Sequence, residues 1–88
     1  MELIKEAENK AVITTKYIVE NQSTITSIYY DEDGDWQFFG DEDVTEKDAF
    51  VVSIKQILNI DPTLKNIPEI QPGQTIIRSN KNSLWQIT

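Results

Sequence analysis

Carboxylates are the reactive groups this chain holds in quantity: fifteen Asp and Glu against eight Lys and Arg, with no His and no Cys. Nine of them crowd into residues 31–48: Asp31, Glu32, Asp33, Asp35, Asp41, Glu42, Asp43, Glu46 and Asp48. Two chemistries use acids at such density. Paired carboxylates act as general acid and base when a pocket sets their pKa values apart. Acids at alternate positions can instead ligate a hard cation. Asp31, Asp33, Asp35 and Glu42 match positions 1, 3, 5 and 12 of a calcium loop, but position 6, which should be glycine, is Trp36. Trp36-Gln37-Phe38-Phe39 also has the composition of a strand. Residues 31–35 therefore read as a hairpin turn with Gly34 at its bend, and no metal or cofactor is expected.

Other catalytic schemes lack their parts. Without His or Cys the chain lacks the commonest general base, any thiolate nucleophile and any zinc–thiolate site. A Ser–Lys pair has no supporting spacing. Three scattered glycines make no phosphate-cradling loop. A paired-carboxylate enzyme stays as a remote alternative, since acids in turns are ordinarily solvated charge. The expectation is a protein that is not an enzyme.

Recognition is the chemistry that remains. Residues 31–48 carry a net charge of −8, more than the whole chain's −7, while residues 49–88 carry +2. Such a surface repels phosphate backbones and anionic lipid, which argues against nucleic acid and membrane as partners and for a basic protein. Tyr29, Tyr30, Trp36, Phe38 and Phe39 flank the acidic turn, and Tyr and Trp are common interface anchors. The candidate partner-binding residues are Trp36, Asp41, Glu42, Asp43, Asp33 and Asp35.

Several elements must position these residues. Segment 2–9 suits a short helix or a frayed tail. Residues 11–15 and 17–19 are β-branched and aromatic and read as one strand, with 25–30 as its hairpin partner across Asn21-Gln22-Ser23. Residues 36–39 form the next strand, with Trp36 and Phe38 on one face and Phe39 on the other. A polar loop fills 40–48. After an extended piece at 50–52, Ser53 and Gln56 have capping-box spacing, and Ile54, Ile57 and Leu58 recur as one helical face over 54–59. Asp61-Pro62 starts one more turn. Residues 74–79 and 83–87 read as a last hairpin around Asn80-Lys81-Asn82.

The expected architecture is a single α+β domain spanning 1–88. A small antiparallel sheet of about five strands is packed by one short amphipathic helix, with a second short helix admitted at the N-terminus. Eighty-eight residues are too few for two stable cores. The first residues lack the basic start and apolar run of a secretory signal, and no stretch reaches the roughly 20 apolar residues of a membrane span. A cytoplasmic protein is the expectation.

Three segments carry a resemblance: Ala11-Val12-Ile13-Thr14-Thr15-Lys16 with Ile28-Tyr29-Tyr30, then Gly34-Asp35-Trp36-Gln37-Phe38-Phe39-Gly40-Asp41-Glu42, then Ser53 to Pro62 with Pro72-Gly73-Gln74-Thr75-Ile76-Ile77-Arg78. Together they resemble a bacterial family, first described as a domain of unknown function, of immunity proteins from polymorphic toxin systems. The match spans about residues 11–79. It departs at Gln37, where members often have Arg, and lacks the Ser many place before Gly-Asp-Glu. The resemblance implies a cytoplasmic protein that binds and neutralises a cognate toxin. A housekeeping adaptor or regulatory domain with an unknown ligand is the alternative.

Overall fold

A computed structural model describes residues 5–88. Six strands form one sheet: β1 (Ala11–Thr15), β2 (Ser27–Tyr30), β3 (Trp36–Phe39), β4 (Ala49–Ser53), β5 (Thr75–Ile77) and β6 (Gln86–Ile87), in the order β4-β1-β3-β2-β5-β6. Two short helices, α1 (Lys16–Asn21) and α2 (Ile54–Ile60), and 3-10 turns at Glu46–Asp48 and Pro62–Asn66 complete the α+β architecture.

Two strands run straight into helices. Thr15 ends β1 and caps α1, its hydroxyl accepting from Ile18 N–H at 3.3 Å. Ser53 ends β4 and caps α2, accepting from Gln56 N–H at 3.1 Å while Gln56 Oε1 accepts from Ser53 N–H at 2.8 Å. The capping box read from the sequence is therefore present. β1 and β4 pair antiparallel from Ala11↔Ser53 to Thr15↔Ala49, so the two helices leave the sheet at opposite ends.

The structure departs from the sequence expectation at the first hairpin. Residues 16–21 are helix rather than strand, because Ile18 on one turn of helix reaches the core and is fully buried. β1 pairs with β4 and, in parallel, with β3 through Ile13↔Gln37; it does not pair with β2. The sheet is consequently mixed rather than purely antiparallel. The helix admitted at 2–9 lies partly outside the described residues, and residues 6–10 hold no α-helix. The β2–β3 hairpin stands as read, with Tyr30↔Trp36 and Ser27↔Phe39 as its end pairs. So does the turn after Asp61, whose carboxylate accepts from Thr63 N–H at 3.0 Å with Pro62 at the first helical position.

One sheet face is covered. Val12, Ile28, Tyr30, Trp36, Phe38 and Ile76 meet Ile18, Ile54, Ile57 and Leu64 from the helices and the second 3-10 turn, with Ile25 and Ile70 from connecting segments. Full burial of each large apolar side chain contributes about 1.5–3 kcal/mol, which makes this layer the main source of stability. Tyr30 and Trp36 stack at 4.1 Å between centroids. Among the described residues, no helix lies on the other face.

Candidate partner-binding surface

Alternation along the strands puts every second residue on the uncovered face. Register then aligns Val51, Ile13, Gln37, Tyr29 and Thr75 as one row across five strands. Val51 is 72% exposed, Tyr29 42% and Ile13 37%. Phe39, Ser27 and Ile77 lie one pleat along, with Ile77 also exposed. Tyr29 and Phe39 meet edge to face at 5.6 Å. Loop 40–44 rises beside them, so that Tyr29, Phe39, Gln37, Ser27, Glu42, Asp43 and Val44 line an open depression of about 370 Å³. Apolar floor and acidic wall are contiguous there.

The loop is held in place by its own acids. Asp41 Oδ1 accepts from Thr26 Oγ1 at 3.0 Å, and Glu42 Oε2 accepts from Ser23 Oγ at 2.6 Å. Glu42 Oε1 is buried without a hydrogen-bond partner. Gly40 makes this inward position of Glu42 feasible: a Cβ there would stand 2.7 Å from Glu42 Oε1 and 2.8 Å from Thr24 C=O. At its far end the loop closes through Asp48, which accepts from Thr45 N–H at 3.0 Å and pairs with Lys16 at 3.2 Å. The Thr45 N–H bond, aided by Lys16 and opposed by burial, holds the Asp48 carboxyl below the usual carboxylate range. Hydrogen bonding to Asp48 and its charge raise the Lys16 ammonium in turn. Asp43 and Glu46 are left exposed on the loop.

The six sequence-derived candidates therefore separate. Trp36 is 0% exposed in the core, with its indole N–H 3.4 Å from Glu6 Oε1, so it is a packing residue and offers no contact to a partner. Asp33 and Asp35 lie in the β2–β3 turn, where Asp31 Oδ1 accepts from both of their N–H groups at 2.9 Å. That turn and the loop at Asp41–Asp43 occupy opposite ends of β3, about 20 Å apart along an extended strand. Asp41, Glu42 and Asp43 do come together, but Glu42 faces inward. Among the described residues no group of three or more acids is arranged to hold a metal ion.

Nothing in the sequence marked Ile13, Val51 and Val44 as surface residues, and Tyr29 stood out only as one of five aromatics flanking the acidic turn. The signal existed for Tyr29, since it alternates with Ile28 and Tyr30, but which face is covered depends on the helices. Nor did the sequence announce the buried ion pair of Arg78 with Asp61. No helix among the described residues is long and apolar enough to cross a membrane. Comparison with protein-family models, curated proteins and solved structures gave no match.

Proposed function

We propose that this chain is a non-catalytic immunity protein, acting in the cytoplasm, that binds a basic toxin domain through its uncovered sheet face and acidic loop. What supports this is the depression that Tyr29 and Phe39 share with the exposed acid Asp43, together with the row that carries Tyr29 on to Ile13 and Val51. Aromatic and aliphatic anchors supply affinity when desolvated, and surrounding charge of one sign accelerates capture of a partner of the other. A nuclease toxin suits this charge, because its own substrate is a polyanion.

The test is co-expression with the toxin encoded beside the gene. The wild type protects the cell, and Asp43→Lys with Glu46→Lys slows association and weakens protection. Those two acids are chosen because neither side chain ties the loop, so the fold survives the reversal. Absence of protection by the wild type overturns the proposal. A stable complex with a host protein that is no toxin would point to the adaptor reading instead.

A further inference from the structure

The depression beside β3 joins aromatic rings to carboxylates and contains no cation. Tyr29 and Phe39 meet at 5.6 Å with their planes 69° apart, so the rings form a corner rather than a flat floor. Glu42 and Asp43 stand in its wall, and no Lys or Arg is among the residues that line it. The nearest cation along the chain, Lys47, lies between Glu46 and Asp48 just before β4. β4 is two strands from β3, roughly 10 Å, about the distance over which salt screens a surface charge. Lys16 is already paired with Asp48 at 3.2 Å.

The two acids in the wall play different parts. Glu42 is fixed: its Oε2 accepts from Ser23 Oγ at 2.6 Å, and its neighbour Asp41 is tied to Thr26 at 3.0 Å. Its Oε1 is buried with no donor, so one hydroxyl serves the whole carboxyl group. Asp43 is exposed and makes no bond among the described residues, which leaves it free to turn toward a ligand. A wall fixed before binding lowers the ordering cost of association. At about 370 Å³ the depression is near the bottom of the range for small-molecule sites, about 300–1,000 Å³, and it is open. That shape suits one long side chain entering from a partner.

We infer that this depression takes a single arginine side chain of the partner, its guanidinium flat against Tyr29 and hydrogen-bonded to Asp43 beside Glu42; this rests on the reading above of a basic toxin. Tyr29 offers a ring that is 42% exposed. A guanidinium is planar and weakly hydrated, stacks on rings and donates to a carboxylate as a fork. Lysine is a compact, strongly hydrated point charge and gains less from a ring beside it. An apolar side chain would take water from Glu42 and Asp43 and return no donor. A metal ion is the wrong occupant, because among the described residues no three acids are arranged to hold one.

Three short, blocked serine peptides with Arg, Lys or Leu at the centre serve as probes, titrated into the ¹⁵N-labelled full chain. The Arg peptide is expected to shift the Gly40, Asp43 and Val44 amides. It should bind about threefold more tightly than the Lys peptide and about tenfold more tightly than the Leu peptide. Asp43→Asn should weaken the Arg peptide, and Tyr29→Leu should bring Arg and Lys level; both exchange exposed or half-exposed groups and leave the fold intact. Asp33→Asn with Asp35→Asn, at the far end of β3, should change nothing and so controls for the general acidity of the chain. Arginine held no more tightly than lysine or leucine, shifts centred on residues 31–35, or binding untouched by both variants overturns the inference. Protection lost on reversing Asp43 and Glu46, in a chain with no arginine preference, sinks the arginine site and leaves the proposed function standing. An arginine preference in a wild type that protects no cell keeps the site and removes the immunity reading.

Discussion

Arg78 Nη2 donates to Asp61 Oδ2 at 2.7 Å with both side chains almost entirely out of water, and this pair locks β5 to the segment that follows α2. All three guanidinium nitrogens are engaged: Nε donates to Ile25 C=O at 2.9 Å, Nη1 to Thr63 Oγ1 at 3.0 Å, and Trp85 covers the plane at 4.3 Å. Its contacts tie four separate stretches of chain together. A buried charge left alone is costly, whereas a matched apolar replacement of both partners can be neutral. Asp61→Ala should therefore destabilise by about 3 kcal/mol, and Asp61→Leu with Arg78→Met by clearly less. Urea unfolding of the single and double variants measures both; equal losses would refute the account.

Stability should fall in acid for an identifiable reason. Burial by itself pushes the Asp61 carboxyl up, but hydrogen bonds from Thr63 and Arg78 and the arginine's charge outweigh it and hold the group low. Asp48 is held low by the Thr45 N–H and Lys16. A carboxyl low in the folded state binds fewer protons there than when unfolded. Its contribution is complete above the unfolded pKa of about 4 and disappears as pH falls through the folded value. Lys16, raised by Asp48, has the opposite sign: its contribution is present below about pH 10 and disappears as pH rises through the folded value. Urea midpoints across pH should show Asp48→Asn flattening both limbs and Lys16→Met the alkaline limb most. Unchanged limbs would remove these pairs as the cause.

Gly40 is needed for space. Gly40→Ala drives a methyl against Glu42 Oε1 and the Thr24 carbonyl, and the carbonyl belongs to backbone that cannot swing aside. We expect a loss of about 1–3 kcal/mol and release of the Ser23–Glu42 bond. Gly34 gives the contrast: its φ of +84° is strained for a side chain, yet nothing lies within 4 Å. Gly34→Asn should be well tolerated, since Asn visits that region readily. Thermal unfolding of the two variants ranks them, and a reversed order would contradict the packing argument.

What the sequence revealed was local. Ser53 and Gln56 announce a helix start because capping needs only a three-residue spacing, and Asp61-Pro62 does the same. Trp36 and Phe38 fall on the buried face because a strand alternates. What stayed hidden depends on distant chain. Lys16–Asn21 has strand-like composition, and only burial of Ile18 against the assembled core makes it a helix. The β1–β3 parallel pair has no turn to announce it, and Arg78 finds Asp61 across 17 residues. The acidic run looked like one patch because charge was counted along the chain, while β3 carries its halves to opposite ends of the sheet.

Tyr29 and Trp36 make the sharpest contrast for function, since both are aromatic, close in sequence and on opposite faces. Trp36→Ala opens a cavity among Tyr30, Phe38 and their neighbours and should cost about 3–5 kcal/mol of stability. Any loss of binding in that variant should follow the unfolded fraction and vanish once corrected for it. Tyr29→Ala gives up only a half-exposed ring and its edge contact with Phe39, about 1 kcal/mol of stability. If the uncovered face meets the partner, the same change should weaken binding by about 2 kcal/mol, some thirtyfold, with the folded population intact. Calorimetric titration of the folded variant against the toxin domain separates the outcomes. Affinity unaltered by Tyr29→Ala would move the contact off this face.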